Sequence, residues 1–135
     1  MGYELGVKKR SWFKNKIRWV LSYPELYEVG ASNLGHIILY SILNSIPSQL
    51  CDRAYLPAAD LSKRLRESQE KLFAVESRRP LIAFDVLGFS LSYELGATNI
   101  LEMLDLAQIA IYSHQRGDLP LNDPNSCLLY TSDAA

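Results

Sequence analysis

The stretch Asp85-Val-Leu-Gly-Phe-Ser-Leu91 decides the fold class, because its apolar run is nearly continuous. A strand with one wet face alternates apolar and polar residues, whereas a parallel strand covered on both faces loses that alternation. We therefore predict a buried parallel strand over 85–91. Further towards the N-terminus, 17–23 is rich in β-branched and aromatic residues and ends at Pro24, which predicts another strand.

Apolar residues with helical spacing follow both strands. After the first, a helix is predicted to begin at Ser32 or Asn33 and to end before Pro47. Its wide apolar face comprises Leu34, Ile37, Ile38, Leu39, Ile42, Leu43 and Ile46. After the second strand, a helix with core residues between Ile100 and Ala107 is predicted to be capped near Thr98 or Asn99.

The remaining elements complete an alternation of strands and helices. We predict a short strand over 49–56, an amphipathic helix over 58–71, a minor strand over 72–75, and the start of a further strand over 109–112. Such alternation is typical of α/β folds. The predicted fold is an incomplete doubly wound (Rossmann-like or flavodoxin-like) parallel sheet with helices on both faces.

The chain divides into four segments. Residues 1–16 form a basic N-terminal arm, 17–121 the incomplete Rossmann-like domain, and 122–126 a loop. Residues 127–135 (Cys-Leu-Leu-Tyr-Thr-Ser-Asp-Ala-Ala) fit one reading frame of a transposon-derived sequencing adapter, so we interpret them as read-through in which Cys127 carries no chemistry.

Composition excludes several functional classes. The 135 residues carry a net charge of −1, so no strong global field favours nucleic acid or an anionic membrane. The sequence contains no run of 18 apolar residues, so no membrane span is predicted. It also contains no secretory signal, so the expected location is the cytoplasm. Cys51 and Cys127 match no metal or redox spacing.

Two loops lie where an open parallel sheet binds ligands, beyond the carboxyl ends of its strands. Both combine glutamate, tyrosine, glycine and an asparagine before a helix, which suits an anion, although ordinary turns and helix caps give the same pattern. The candidate cofactor-binding residues are Glu25, Tyr27, Gly30, Ser32 and Asn33 in the first loop and Tyr93, Glu94, Thr98 and Asn99 in the second.

Other polar residues are weaker candidates. Arg78 and Arg79 could grip a phosphate or carboxylate, or could instead pair with Glu76 or Asp85. His36 and an isolated histidine near the C-terminal end are predicted to be structural, since no second ligand is spaced for a metal. We assign no catalytic and no metal-ligating residue.

Several segments together resemble the N-terminal region of radical SAM proteins that carry a cobalamin-binding-type, Rossmann-like domain. The resemblance covers roughly residues 3–121. Its segments are Tyr23-Pro-Glu-Leu-Tyr-Glu-Val-Gly-Ala-Ser-Asn-Leu-Gly35, Leu39-Tyr-Ser-Ile-Leu-Asn44, Ala74-Val-Glu-Ser-Arg-Arg-Pro-Leu81, Phe84-Asp-Val-Leu-Gly-Phe-Ser-Leu91, Tyr93-Glu-Leu95 and Thr98-Asn-Ile-Leu-Glu-Met-Leu-Asp-Leu-Ala107.

The resemblance implies that the whole protein is a radical SAM enzyme. In the family, a radical SAM barrel with a C-x-x-x-C-x-x-C motif follows this domain, binds a 4Fe-4S cluster and cleaves S-adenosylmethionine. That motif is not in this chain, so the fragment itself is expected to be non-catalytic. Its expected partners are that barrel and an unknown substrate, with no membrane partner.

Cobalamin is a possible cofactor, but one without a histidine ligand. Cobalamin domains that ligate cobalt through an imidazole share a D-x-H-x-x-G loop after the first strand. Here Glu25 and Gly30 keep the acid and the glycine, and Tyr27 stands in place of the imidazole. A neutral phenol with a pKa near 10 is a poor cobalt ligand.

Two other interpretations stay open at this stage. The alternative function is a degenerate Rossmann-like binding or regulatory module without a cofactor, which docks a protein or RNA partner through the basic arm. A free-standing flavodoxin-like protein is a weaker alternative, because the predicted elements are too few to finish that fold.

Overall fold

The computed structural model describes residues 11–91, 94, 96–112, 115 and 128–133. Its four strands are parallel and lie in the order β2-β1-β3-β4. The strands are β1 (Ile17–Tyr23), β2 (Gln49–Tyr55), β3 (Val86–Leu91) and β4 (Leu128–Asp133). The helices are α1 (Tyr27–Gly30), α2 (Leu34–Ser45), α3 (Ala59–Ser68) and α4 (Gly96–Leu106), with 3-10 turns at Trp12–Lys14 and Leu81–Ala83.

Helices cover both faces of this sheet, as predicted. Val20 of β1 and its register partner Leu87 of β3 point to one face and pack into the main core with residues of α3 and α4. Tyr23 of β1 and its register partner Tyr55 of β2 point to the other face, under α2, where both rings approach His36. The fold class predicted from the sequence, a doubly wound parallel α/β sheet, is confirmed.

The outer edge of β2 is covered by the loop that precedes β3. The backbone N–H of Val75 donates to the carbonyl oxygen of Arg53, and the carboxylate of Asp52 accepts from the N–H groups of Glu76 and Ser77. The minor strand predicted over 72–75 is reduced to one antiparallel bridge, between Phe73 and Pro80. An edge with unpaired backbone groups is thereby covered within the domain.

Two glutamines follow the ends of α3 and α4, and α3 ends three residues earlier than the predicted residue 71. Gln69 and Gln108 both adopt the left-handed conformation with φ of 56°. After Gln108, the N–H of Ile109 bonds to the carbonyl oxygen of Leu104, and the Ile109 side chain is buried in the core. The strand predicted over 109–112 is therefore wrong, because its first apolar residue closes α4 through a C-capping contact.

The fourth strand instead lies at 128–133, parallel to β3. It falls in the segment that we interpret as adapter read-through, an interpretation that stays a prediction. Most of the basic arm, the loop 122–126 and Cys127 lie outside the described residues. Within the described ranges, no helix has the length and apolar composition needed to cross a bilayer.

Candidate functional site

The first candidate loop and the described part of the second lie at one edge of the sheet. From β1 the chain passes through α2 to β2 on one side, while β4 lies beyond β3 on the other side. The space between the carboxyl ends of β1 and β3 is therefore the topological switch point, where doubly wound folds bind ligands. This geometry brings the first loop and the start of α4 to the same edge of the sheet.

The first loop packs tightly against the end of β2. The backbone N–H of Leu56 donates to the carbonyl oxygen of Glu25 at 2.9 Å. The ring of Tyr27 meets the ring of Tyr55 edge-on, with centroids 5.2 Å apart. A Cβ atom on Gly30 would lie 2.6 Å from the Tyr55 ring, so glycine is required here by close approach.

The last residues of the first loop form the N-terminal cap of α2. Asn33 caps the helix, as predicted: its Oδ1 accepts from the N–H of His36 at 3.0 Å, and its Nδ2 donates to the Tyr23 hydroxyl at 3.3 Å. The hydroxyl of Ser32 donates to the carbonyl oxygen of Val29. Both side chains therefore form hydrogen bonds that hold the start of α2.

The start of α4 contacts the first loop directly. Thr98 and Asn99 do not cap the helix, because α4 already begins at Gly96. Instead the Nδ2 of Asn99 donates to the carbonyl oxygen of Pro24 at 2.9 Å, and a Cβ on Gly96 would lie 3.3 Å from the Pro24 ring. Glu94 and Thr98 are exposed at this edge, and Tyr93 lies outside the described residues.

A groove lies at the opposite edge of the sheet. It has a volume of about 560 Å³ and is lined at the C-terminal ends of α3 and α4, chiefly by Leu65, Arg66, Gln69, Glu70, Asp105 and Gln108. Arg66 and Asp105 form an ion pair of 2.5 Å across it. These helices run antiparallel to the strands, so the groove is remote from the switch point.

Arg78 and Arg79 also lie away from the switch point. The guanidinium of Arg79 stacks over the rings of Trp12, at 4.3 Å, and Phe13, at 5.5 Å. Arg78 lies over the ring of Phe73 at 5.6 Å. The alternative partner Asp85 is instead bonded to Arg18, through Nε at 2.9 Å and Nη2 at 3.1 Å. Contact of Arg78 and Arg79 with an anion stays a prediction.

The sequence did not indicate a buried polar cluster beneath α2. The Arg53 guanidinium bonds to Glu76 at 3.1 Å and lies over the Tyr40 ring, while the Tyr40 hydroxyl donates to the same carboxylate at 2.5 Å. Burial raises the pKa of Glu76, against the effect of these two partners. The charged pair Asp52 and Arg53, inside a strand that is otherwise mostly apolar, is the sequence feature that could have indicated this cluster.

His36 is buried beside this cluster. Its ring contacts the rings of Tyr23 and Tyr55, and neither imidazole nitrogen has a hydrogen-bond partner among the described residues. Burial, followed by the positive charge of Arg53, lowers the pKa of His36 to about 4. The imidazole is therefore neutral near pH 7, in keeping with the structural role that the sequence predicts for it.

Cys51 is held inside β2. Both its backbone N–H and its carbonyl oxygen bond to the side chain of Asn44, and its thiol points to the Asp52 carbonyl oxygen at 3.4 Å. Burial, followed by the charge of Asp52, raises the pKa of this thiol. The part of the chain that the structure describes contains no group of three histidine, cysteine, aspartate or glutamate residues able to hold a metal ion.

Comparison with known proteins gives one match. Residues 35–124, about two thirds of the chain, match a family model described as radical SAM proteins, N-terminal. The matched range includes nearly all of α2 and the second candidate loop, whereas Glu25 to Asn33 precede it. Comparisons with curated proteins and with solved structures find no match. The chain belongs to the family of N-terminal domains of radical SAM proteins.

Proposed function

We propose that this chain is the non-catalytic accessory domain of a radical SAM enzyme located in the cytoplasm. The family match over 35–124 carries the proposal, because a domain described as N-terminal in radical SAM proteins implies a radical SAM domain in the same polypeptide. That second domain would hold a 4Fe-4S cluster through a C-x-x-x-C-x-x-C motif and cleave S-adenosylmethionine. Cys51, locked into β2 with its thiol buried, supports a structural role for this cysteine.

The test starts from the uninterrupted gene. A C-x-x-x-C-x-x-C motif in frame beyond the codon for Ser126 is expected. The anaerobically purified protein should then contain about four iron atoms per chain. Under a strong reductant it should release 5′-deoxyadenosine from S-adenosylmethionine. A frame that stops soon after Ser126, or a whole protein without iron, would remove the basis of the proposal.

We propose the switch-point edge as the part of the domain that meets a ligand. The supporting observation is that Glu25 and Tyr27 of the first loop and Asn99 of α4 lie at one edge of the sheet, linked through Pro24. Substituting Tyr27 should alter ligand affinity in the whole enzyme and leave its fold intact. Unaltered affinity of a Tyr27→Ala variant for the enzyme's substrate would exclude this edge.

The residues of this edge do not fit a cobalamin that is ligated by a protein imidazole. Tyr27, at the expected ligand position, packs edge-on against Tyr55, and His36 is buried beneath α2. The contact of Gly96 and Asn99 with Pro24 also closes the loops on each other. Cobalamin analysis of the purified whole enzyme tests this directly. A cobalt-bound histidine from this domain, detected by spectroscopy, would contradict it.

A docking role for the basic arm is the second candidate, and one observation favours it. Phe13 is 85% exposed, and beside it the Arg79 guanidinium stacks on Trp12. Exposed rings with nearby cations, here including Lys14 and Lys16, bind single-stranded RNA by stacking and charge. The whole protein should then bind a labelled RNA strand at low salt. Binding should be weaker in 0.5 M salt, and weaker for the Phe13→Ala variant than for the wild type. No binding at low salt would exclude RNA.

A further inference from the structure

Helix α2 packs with its polar side facing the sheet. His36 inserts between the rings of Tyr23 and Tyr55, and Asn44 bonds to both backbone groups of Cys51. His36 is buried, and Tyr40, Leu43 and Asn44 are half-buried. These four positions are spaced as one face of a helix. Three of the four inward side chains are polar, the reverse of an ordinary surface helix.

The outward face of α2 is mostly apolar, with Ser41 and Ser45 as its exposed polar residues. The helix contains no charged residue, and its side chains exposed to solvent include Leu34 (69%), Ile37, Ile38 (47%), Leu39 and Ile42 (52%). The apolar character continues into the preceding turn, where Leu26 and Val29 are exposed. We call these seven side chains the α2 face. A contiguous apolar surface of this kind is one that a complete protein buries or uses for binding.

On the opposite side of the domain, the exposed surfaces of α3 and α4 carry charged side chains. The exposed positions of α3 include Lys63, Arg64, Arg66 and Glu67. On α4, Leu101 is exposed but is flanked by Glu102 and Asp105, and Arg66 reaches both of these carboxylates. An isolated exposed leucine among charges is normal, whereas a contiguous apolar surface marks an interaction site. The two sides of the domain therefore differ in the character of their exposed surface.

We infer that the α2 face is the interface at which this domain packs against the radical SAM domain of the same protein. The inference rests on the proposed function. Permanent interfaces resemble a domain core and lack charges, whereas transient ones stay polar, and α2 carries no charge at all. A domain of the same polypeptide also meets this face at high effective concentration. The family match, which describes an N-terminal domain of a larger protein, includes α2 from Gly35 onwards.

A pair of cysteine variants tests this in the complete holoenzyme. Ile38 on α2 and Leu101 on α4 are 47% and 46% exposed within the domain. If α2 faced water, Ile38→Cys and Leu101→Cys would react with a maleimide at similar rates. If the radical SAM domain covers α2, Ile38→Cys should react at least about tenfold more slowly, since the label must wait for local opening. The modified peptides are quantified by mass spectrometry, and both thiols should react alike in urea.

Each outcome decides between occupants. Equal rates at both positions in the native holoenzyme would overturn the inference. Slow labelling of Ile38→Cys in a protein that light scattering shows to be a dimer, with protection lost on dilution to the monomer, would assign the α2 face to a second copy and also overturn it. Iron content is measured on the same samples. A wild-type protein without iron defeats the proposed function, whereas an iron-loaded protein with a reactive Ile38→Cys defeats only the interface.

Discussion

Removing the Asp52 carboxylate should destabilise the domain more than any change to a surface acid. Asp52 is buried, and its two oxygens accept backbone N–H groups from Arg53 at 2.7 Å, Glu76 at 3.1 Å and Ser77 at 2.9 Å. These bonds attach the loop before β3 to the edge of β2. Each buried N–H group that loses its acceptor lowers the free energy of unfolding by about 1–3 kcal/mol. Water can reach the N–H groups of the half-buried loop, which reduces their share of this loss. We therefore expect Asp52→Ala to lower the free energy of unfolding by about 3–5 kcal/mol.

The isosteric variant separates charge and hydrogen bonding from shape. Asp52→Asn keeps one acceptor oxygen but turns an NH₂ group towards at least one backbone donor, so a loss of about 1–3 kcal/mol is expected. The matched control is Asp60→Asn, the same change at an exposed position in the first turn of α3, which should cost less than about 1 kcal/mol.

Urea titration at low micromolar concentration, followed by tryptophan fluorescence, measures all three variants. With a slope of about 1–3 kcal/mol per molar, Asp52→Ala should lower the midpoint by about 1–5 M. The reasoning is refuted if the variants Asp52→Asn and Asp60→Asn have the same midpoint. It is equally refuted if Asp52→Ala is as stable as the wild-type chain.

Three further results are expected. Gly30→Ala should cost about 1–3 kcal/mol by overpacking against Tyr55, whereas Gly35→Ala, whose Cβ has room, should be neutral or stabilising; equal urea midpoints for the two variants would contradict this. The pKa of His36 is lowered in the fold, so the unfolded chain binds a proton at a higher pH than the folded chain does. A contribution of about 2–4 kcal/mol to the free energy of unfolding, present above pH 6.5, should therefore be lost as the pH falls towards 4. A His36→Gln variant with the same pH dependence would exclude that source. Cys51, buried and with a raised pKa, should react with iodoacetamide only after unfolding, and rapid reaction of the native chain at pH 8 would show that β2 opens.

The sheet was predictable because its signals are local. The continuous apolar run of 85–91 and the β-rich segment 17–23 predict strands, and both form within about one residue of the expected bounds. The cap at Asn33 also follows from sequence, since an asparagine before an apolar helical run has a defined local partner in the N–H of His36. Parallel pairing then places the two loops at one edge, as the alternation of elements indicates.

The errors came from residues whose roles depend on tertiary contacts. Gln69 and Gln108 end helices in a left-handed conformation that glycine usually adopts, so the sequence carried no stop signal there. Asn99 does not cap α4 because the helix begins at Gly96, and its side-chain amide donates instead to the carbonyl oxygen of Pro24, far away in sequence. The buried network around Asp52 and Glu76 likewise joins segments distant along the chain, which no helical or strand period reveals.

The reversed packing of α2 has a consequence for how the domain is stabilised. The main core lies on the other face of the sheet, where Leu87, Phe89, Met103 and Leu104 are all buried, and no α2 side chain belongs to it. Helix α2 is attached instead by the hydrogen bonds of Asn44 and by the ring contacts of His36, which give it a defined position with little apolar burial. A segment held in this way opens at lower free energy than the core. A partner that binds only the closed form adds its binding free energy to that local equilibrium. Docking at the α2 face would therefore stabilise the side of the domain that has the least apolar core of its own, and α2 amides should exchange before those of β1 and β3 whenever the partner is absent.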